Sequence, residues 1–260
     1  MYKIVVLAKQ VPDTWSHRAL DMVTGLLDRS ASEHVPDEIN ERTTEAALQY
    51  KDSAPAAEVI ILSMGPEDAT ATLRKMLSMG ADAAVLVTDP ALAGSDAVQS
   101  ARVLSAALEK VGADLILAGN RSTDGQCGVV PAMIAELLGQ ALAPCLDSVT
   151  ITESSIEGQV QVEGASLTVR AELPAVATLT EKAAEPRFPN FKNIVAAKKK
   201  PIVTWSLADL GIQAGPASAP VQSVMVSAQE RPEKQPGPKI SDDGTAAAQL
   251  AEFLTANRLV

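Results

Sequence analysis

Apolar residues fall along this chain in short continuous runs, separated by longer stretches in which they recur at helical spacing. Lys3-Ile-Val-Val-Leu-Ala8 is the first run. A strand of that kind is covered on both faces and is the usual first strand of a parallel sheet. Glu58–Ser63, Ala83–Val87 and Leu115–Ala118 repeat the pattern. Between them lie helical stretches. Asp37–Tyr50 reads as a loop feeding a helix, capped by Asp37 or Asn40. Ala69, Leu73, Met76 and Leu77 mark the next helix, with Pro66 in its first turn and Gly80 at its stop. Ala97, Ala101, Leu104 and Leu108 mark a third, with Ser95 or Asp96 as cap, and Val130, Met133, Ile134, Leu137 and Leu138 a fourth. Strand and helix alternate four times at crossover lengths, which predicts an α/β fold with a doubly wound parallel sheet. Ligands of such sheets sit at the carboxyl ends of the strands, where strand order reverses. The loops after Ala8, Ser63 and Ala118 all end on that edge.

The rhythm breaks elsewhere. Thr14–Val35 is a mixed excursion in which Asp21–Asp28 has the makings of a small hairpin. After Leu138, the runs Asp147–Glu153, Gly158–Glu163 and Ser166–Ala171 are short and divided by Ser, Glu and Gly, as in antiparallel hairpins. Pro174–Leu179 is another strand, with proline tolerated at its start. Glu181–Lys200 is basic and broken by prolines, and it carries Phe188 and Phe191. An aromatic anchor with a cationic rim is a partner-docking arrangement. The plainer alternative, favoured on these residues alone, packs both rings onto the core. Beyond Ile202–Gly211 the chain turns to Pro, Ser, Ala and Gln through about Ser241, an extended linker. Thr245–Leu259 closes as a short helix with Leu250, Phe253 and Leu254 on one side.

Composition narrows the class. With 260 residues, the chain is one large domain or one domain with appendages. Hydrophobic residues make up 47% and aromatics only 3%, so Ala, Val, Leu and Ile build the core. A net charge of −10 argues against nucleic acid as the main partner. No run spans a bilayer, and Ile4–Ala8 is too short for a signal peptide, so a cytoplasmic protein is expected. Cys127 and Cys145 form no CxxC pair, which leaves no disulfide framework and no zinc site.

The candidate chemistry gathers in the loop between Ala118 and Val130. A strand that ends in a Gly-, Asn-, Ser-, Thr- and Asp-rich loop at a helix start brings free N–H groups and the positive helix end to one point. That point suits phosphate. An ordinary βα loop is rich in the same residues for turn reasons, so both readings stay open here. There is no Walker lysine motif and no GxGxxG, which removes P-loop NTPases and the standard dinucleotide fold. His17 and His34 read as surface histidines in loops. Cys127 sits in the cradle without a base and reads as a wall residue, not a nucleophile. A nucleotide without cleavage machinery points to a structural or redox cofactor.

In order along the chain, Val5–Asp13, Ser63-Met-Gly-Pro66, Met79-Gly-Ala-Asp82, the loop around Asp124, Leu173-Pro-Ala-Val176, Glu185-Pro-Arg187, Ala196–Lys200 and Asp209-Leu-Gly211 resemble the β subunits of electron transfer flavoproteins. The close of the cradle and Asp37–Glu41 look most like the bacterial members. The resemblance covers essentially the whole chain and implies an adenine-nucleotide-binding sheet of HUP/USP type. It places a nucleotide-binding domain at 1–211, and a linker and terminal helix at 212–260 packing on an α subunit. It implies a heterodimer whose α subunit holds the redox-active FAD, while this chain holds a structural AMP.

Carried over by motif, the AMP site comprises Leu7 and Ala8, then Asp37, Glu38, Ile39 and Asn40, then Met64. It is completed by Gly119, Asn120, Arg121, Ser122, Thr123, Asp124, Gly125, Gln126, Cys127, Gly128, Val129 and Val130. The Phe–Cys character usual at Ile39 and Asn40 is missing. Thr14 and Ile39 approach the α-subunit flavin where the family often has aromatics. Thr180–Lys199 corresponds to the recognition loop for acyl-CoA dehydrogenases and related flavin dehydrogenases, with Pro189, Phe191 and Ile194 as contacts. Phe191 stands where the family has a leucine, which reverses the plainer view of this loop. The family's basic and acidic hairpin signature is reduced to Glu163-Gly164.

The expected function is that of an electron carrier subunit, not an enzyme. It docks donors of the fatty-acid β-oxidation type and passes electrons towards a membrane quinone reductase. Two alternatives compete. One is an electron-bifurcating member with a second FAD in this pocket and NADH as reductant. Its usual Thr-Ala-Gln-Val-Gly run is absent from Gln126-Cys-Gly-Val-Val-Pro131. The other is a free-standing ATP-binding stress-type module, which leaves the recognition loop and terminal arm unexplained.

Overall fold

Ile4, Val5 and Val6 are all fully buried. Side chains of one strand alternate sides, so this strand is covered on both faces. A computed structural model describes residues 2–213, 223 and 225–260. The elements run, in chain order, β1 (Lys3–Leu7), β2 (Gln10–Pro12), β3 (His34–Pro36), α1 (Glu38–Ser53), β4 (Glu58–Met64), α2 (Thr70–Met79) and β5 (Ala83–Val87). They continue with α3 (Ala97–Val111), β6 (Leu115–Gly119), α4 (Val130–Leu138), β7 (Ala141–Leu146), β8 (Ser148–Ile151), β9 (Ser155–Val162) and β10 (Ala165–Glu172). The last are β11 (Ala175–Leu179), α5 (Phe191–Ala197), β12 (Ile202–Trp205) and α6 (Ala246–Ala256).

Seven strands form one sheet in the order β12-β5-β4-β1-β6-β11-β7, and every neighbouring pair is parallel. The doubly wound expectation is met. Ile4, Val6, Ile61 and Leu117 pack with Ala47, Leu48, Leu73 and Met76 of α1 and α2. Val5, Leu62 and Ile116 pack with Ala101, Leu108 and Ile134 of α3 and α4. Each of the Val, Leu, Ile and Met side chains among them, fully buried, contributes about 1.5–3 kcal/mol of transfer free energy. The chain winds from β1 to β4 and β5 on one side, then returns to β6 on the other. Strand order therefore reverses between β1 and β6, and a crevice opens at their carboxyl ends.

A separate antiparallel sheet, β10-β9-β8, occupies the predicted hairpin region. The caps resolve to Asp37, which accepts from Ile39 N at 3.2 Å, and Asp96, which accepts from Gln99 N at 2.8 Å. The excursion holds one antiparallel bridge, Leu20 to Leu27, with Asp21 closing the turn by accepting from Val23 and Thr24 N.

Four details differ from the expectation. β7 is a parallel edge strand in a stretch the pattern did not mark, and β12 adds the opposite edge beside β5. β12 has only four residues, too few for periodicity to show. Pro66 precedes a 3-10 turn, Glu67–Ala69, and α2 begins only at Thr70. His34 lies in β3, not in a loop, and its ring meets Asp68 Oδ2 at 2.8 Å and Arg29 O at 2.7 Å.

The chain divides into two units, Met1–Val226 and Ser227–Val260. The second contains α6, and its residues 227–245 form no helix or strand. The linker expected over 212–241 includes residues 214–222 and 224, which lie outside the described residues. Among the described residues no helix is long and apolar enough to cross a membrane.

Candidate functional site at the strand-order reversal

β1 ends at Leu7, and the chain then brings Lys9 against the loop that follows β6. Lys9 N donates to Asn40 Oδ1 at 2.8 Å, which ties this turn to the first turn of α1. Lys9 Nζ reaches Asp124 Oδ1 at 2.7 Å, and Arg29 Nη2 approaches Asp124 Oδ2 at 3.3 Å. Gly125 N also donates to Asp124, at 2.6 Å. Thr123 is held through Asp37 Oδ2, which accepts from its N at 2.8 Å and its Oγ1 at 3.2 Å. Arg18 donates to Thr123 O and, at 2.6 Å, to Pro12 O. The loop after β6 is thus anchored to three separate stretches of chain. Glycine is required where β6 hands over to it: a Cβ on Gly119 would stand 2.8 Å from Ile39 Cγ2.

The two acids respond oppositely. Burial raises the Asp37 carboxyl above the usual range despite its hydrogen bonds to Thr123 and Ile39. At Asp124 burial also opposes charge, but the Lys9 hydrogen bond and charge, with Ser122 and Gly125, prevail and hold it at about 2. A carboxyl depressed in the folded state stabilises fully above its unfolded value and loses that contribution as pH falls through the folded value. Asp124 therefore contributes about 2 kcal/mol above roughly pH 4 and nothing below roughly pH 2. The stability gap between the parent and Asp124→Asn, measured by thermal unfolding, is expected to close between those pH values. A gap that stays constant over this range would contradict the role given to Lys9.

Beside this network lies a cleft of about 290 Å³. Of the expected site residues, Leu7, Ala8, Asn40, Met64, Gly119, Asn120, Arg121, Ser122, Gly125, Cys127, Gly128 and Val130 line it. The others stand behind or outside the wall. Asp37, Thr123 and Asp124 form the supporting network, and Ile39 packs under Gly119. Glu38, Gln126 and Val129 are exposed. Sequence reading missed Lys9, Leu62, Leu104 and the start of α3, where Ser95, Asp96, Ala97 and Ser100 line the opposite side. The signal was present: Gly94-Ser95-Asp96 follows a strand, and a doubly wound sheet brings every strand end to this edge.

Two features equip the cleft for a ligand. Asn120 Oδ1 is buried without a hydrogen-bond partner, a costly arrangement that a bound donor would relieve. The N-cap of α4 is Val129, which offers no side-chain oxygen, whereas Asp37 and Asp96 cap α1 and α3. The first N–H groups of α4 are therefore left for water or an anion.

A second surface lies on α5 and the loop before it. Phe188 is 97% exposed and Phe191 82%, so neither ring packs on the core. This corrects the plainer expectation for the pair: α5 rests on α2, but its buried residue is Ala197. Ile194 is also exposed, and Pro189 is half-buried. Thr14 and its neighbour Trp15 are exposed on the excursion.

A family model described as Electron transfer flavoprotein domain matches residues 24–210. Electron transfer flavoprotein subunit beta of Mycobacterium tuberculosis (strain ATCC 25618 / H37Rv) is 43% identical over 266 residues, covering 100% of both chains. The same-named protein of Mycobacterium leprae is 42% identical over 266 residues, again covering 100% of both. Caffeyl-CoA reductase-Etf complex subunit CarD of Acetobacterium woodii is 34% identical over 213 residues, which is 81% of this chain and 80% of that one. With a family model over most of its length and relatives aligned end to end, this chain belongs to the electron transfer flavoprotein family.

Proposed function

We propose that the chain is the β subunit of a heterodimeric, cytoplasmic electron transfer flavoprotein, that it holds AMP in the cleft between β1 and β6, and that it carries no catalytic residue of its own. The unpartnered Asn120 Oδ1 carries the nucleotide assignment, because it is a buried acceptor without a protein donor on a residue that lines the cleft. The fit extends beyond that atom. The loop to Gly128 and the uncapped first turn of α4 suit a phosphate, and Leu7, Met64 and Leu104 supply apolar wall for a base. AMP acts here as a structural ligand that satisfies these groups and stabilises the folded chain by mass action.

The redox chemistry is supplied by FAD in the α subunit. What this chain contributes is shape and docking. Of the two residues expected near that flavin, Thr14 is exposed and approaches it, whereas Ile39 is buried under Gly119. The 212–260 arm packs on the α subunit, and Pro189, Phe191 and Ile194 receive acyl-CoA dehydrogenases and related flavin dehydrogenases. Electrons then continue to a membrane quinone reductase.

A second reading has one observation in its favour. A wider recess of about 710 Å³ adjoins the cleft and shares Lys9, Met64, Ser95 and Ser100 with it, room that a second FAD would use. Denaturing the purified heterodimer and separating the released nucleotides decides between them. FAD and AMP in equal amounts are expected. Two FAD per heterodimer would replace the AMP assignment with the bifurcating one, and ATP from a chain without α partner would indicate the stress-type module.

A further inference from the structure

The exposed segment 188–196 has little to hold it in shape. α5 is seven residues long and buries only Ala197. Isolated helices shorter than about 12–15 residues are marginal in water, so its conformation must be imposed from its ends. Asn190 supplies a local cap by accepting from Asn193 N at 2.8 Å. The stronger constraints come from α1 and α2.

Upstream, Arg187 forks onto Glu45, with Nε to Oε2 at 2.6 Å and Nη2 to Oε1 at 2.9 Å, and Nη2 also reaches Asp52 Oδ2 at 2.8 Å. Its backbone N donates to the same Glu45 Oε2 at 3.2 Å. One carboxylate, only 4% exposed, thus fixes both the guanidinium and the main chain immediately before Phe188. Arg42 adds donations to Ala184 O at 2.9 Å and Glu185 Oε2 at 2.8 Å. Downstream, Arg74 Nη1 donates to Ala197 O and Lys200 O, both at 2.7 Å, closing the carboxyl end of α5 against α2. Buried ion pairs add little net stability compared with apolar packing, but a bidentate fork dictates geometry.

We infer that Arg187, through Glu45, is the positioning residue that holds Phe188, Phe191 and Ile194 in their docking arrangement, with Arg74 fastening the far end. This rests on the docking role proposed above for Phe191. A segment already ordered loses less conformational freedom when the dehydrogenase closes over it. Lysine cannot replace Arg187, since one ammonium does not span Glu45 and Asp52 with fork geometry.

The test uses the intact heterodimer and an acyl-CoA dehydrogenase reduced by its acyl-CoA substrate. Arg187→Gln is expected to raise KM for that donor about tenfold, with kcat changed by less than about twofold. Arg187→Lys is expected to fall short of rescue, and amides 188–196 to exchange faster in both. Combined with Phe191→Ala, Arg187→Gln should raise KM by clearly less than it does alone, because one of the groups it positions is gone. If Arg187→Gln does not yield a folded heterodimer, Arg74→Gln applies the same test from the other end. Should Phe191→Ala raise KM while neither arginine variant does, or should the effects simply add, the positioning role is wrong. An unchanged KM in Phe191→Ala would instead remove the docking role itself.

Discussion

Gly128→Val is expected to empty the cleft, leaving below about a tenth of the parent's AMP per heterodimer after purification. Gly128 has φ +66°, and a Cβ built on it would lie 2.9 Å from the carbonyl oxygen of Asn120 and 3.7 Å from Arg121 Cβ. That carbonyl is main chain, and the adjoining Asn120 N is bonded to Leu179 O at 2.8 Å at the end of the β6–β11 ladder, which limits how far it can yield. A β-branched residue in the left-handed region adds a conformational cost of at least about 1–2 kcal/mol. Both penalties fall on the stretch that lines the cleft and leads into α4. Gly112→Ala is the control. It has φ +73° and nothing within 4 Å, so it carries strain without collision and lies away from the cleft. AMP content, read by chromatography after denaturation, should be retained in Gly112→Ala and lost in Gly128→Val. Full occupancy in Gly128→Val would mean that this loop does not form the binding wall.

Phe191→Ala is expected to reduce kcat/KM for electron transfer from the dehydrogenase by on the order of 30- to 1000-fold, the range of an aromatic hot spot worth about 2–4 kcal/mol. The ring is 82% exposed and covers no core residue, so its removal should leave thermal stability nearly unchanged. AMP and FAD contents should also stay at parent values, since Phe191 does not line the cleft. Rapid-reaction kinetics with the reduced dehydrogenase gives the answer directly. Rates equal to the parent's would show that the donor docks elsewhere.

The two sites differ in how much of them a linear reading can reach. The cleft loop was legible because its chemistry is local: an apolar strand, a Gly- and Asp-rich turn and a helix start follow one another within Leu115–Leu138. Its supports were not. Lys9 and Asp124 are separated by 115 residues, and Asp37 holds Thr123 across 86. Nothing in the spacing of these residues specifies the pairings. Phe188 and Phe191 show the limit from the other side. Large apolar residues are usually buried, and composition alone favoured packing them inside. They point outward because Arg187 and Arg74 fasten the segment at both ends, over sequence separations of 142 to Glu45 and 123 to Ala197.

The amino-acid sequence by itself determined the alternation of strands and helices and the loop after β6, and narrowed the caps to Asp37 or Asn40 and to Ser95 or Asp96. Each depends on hydrogen bonds and periodicities spanning only a few residues. The tertiary structure alone decided that β12 and β7 close the sheet edges, that the start of α3 forms the far wall of the cleft, and that Lys9 neutralises Asp124. These pairings are selected by how the two helical layers settle on the sheet. The free energy that selects them comes from burial and ion pairing between segments that meet only after the chain has folded.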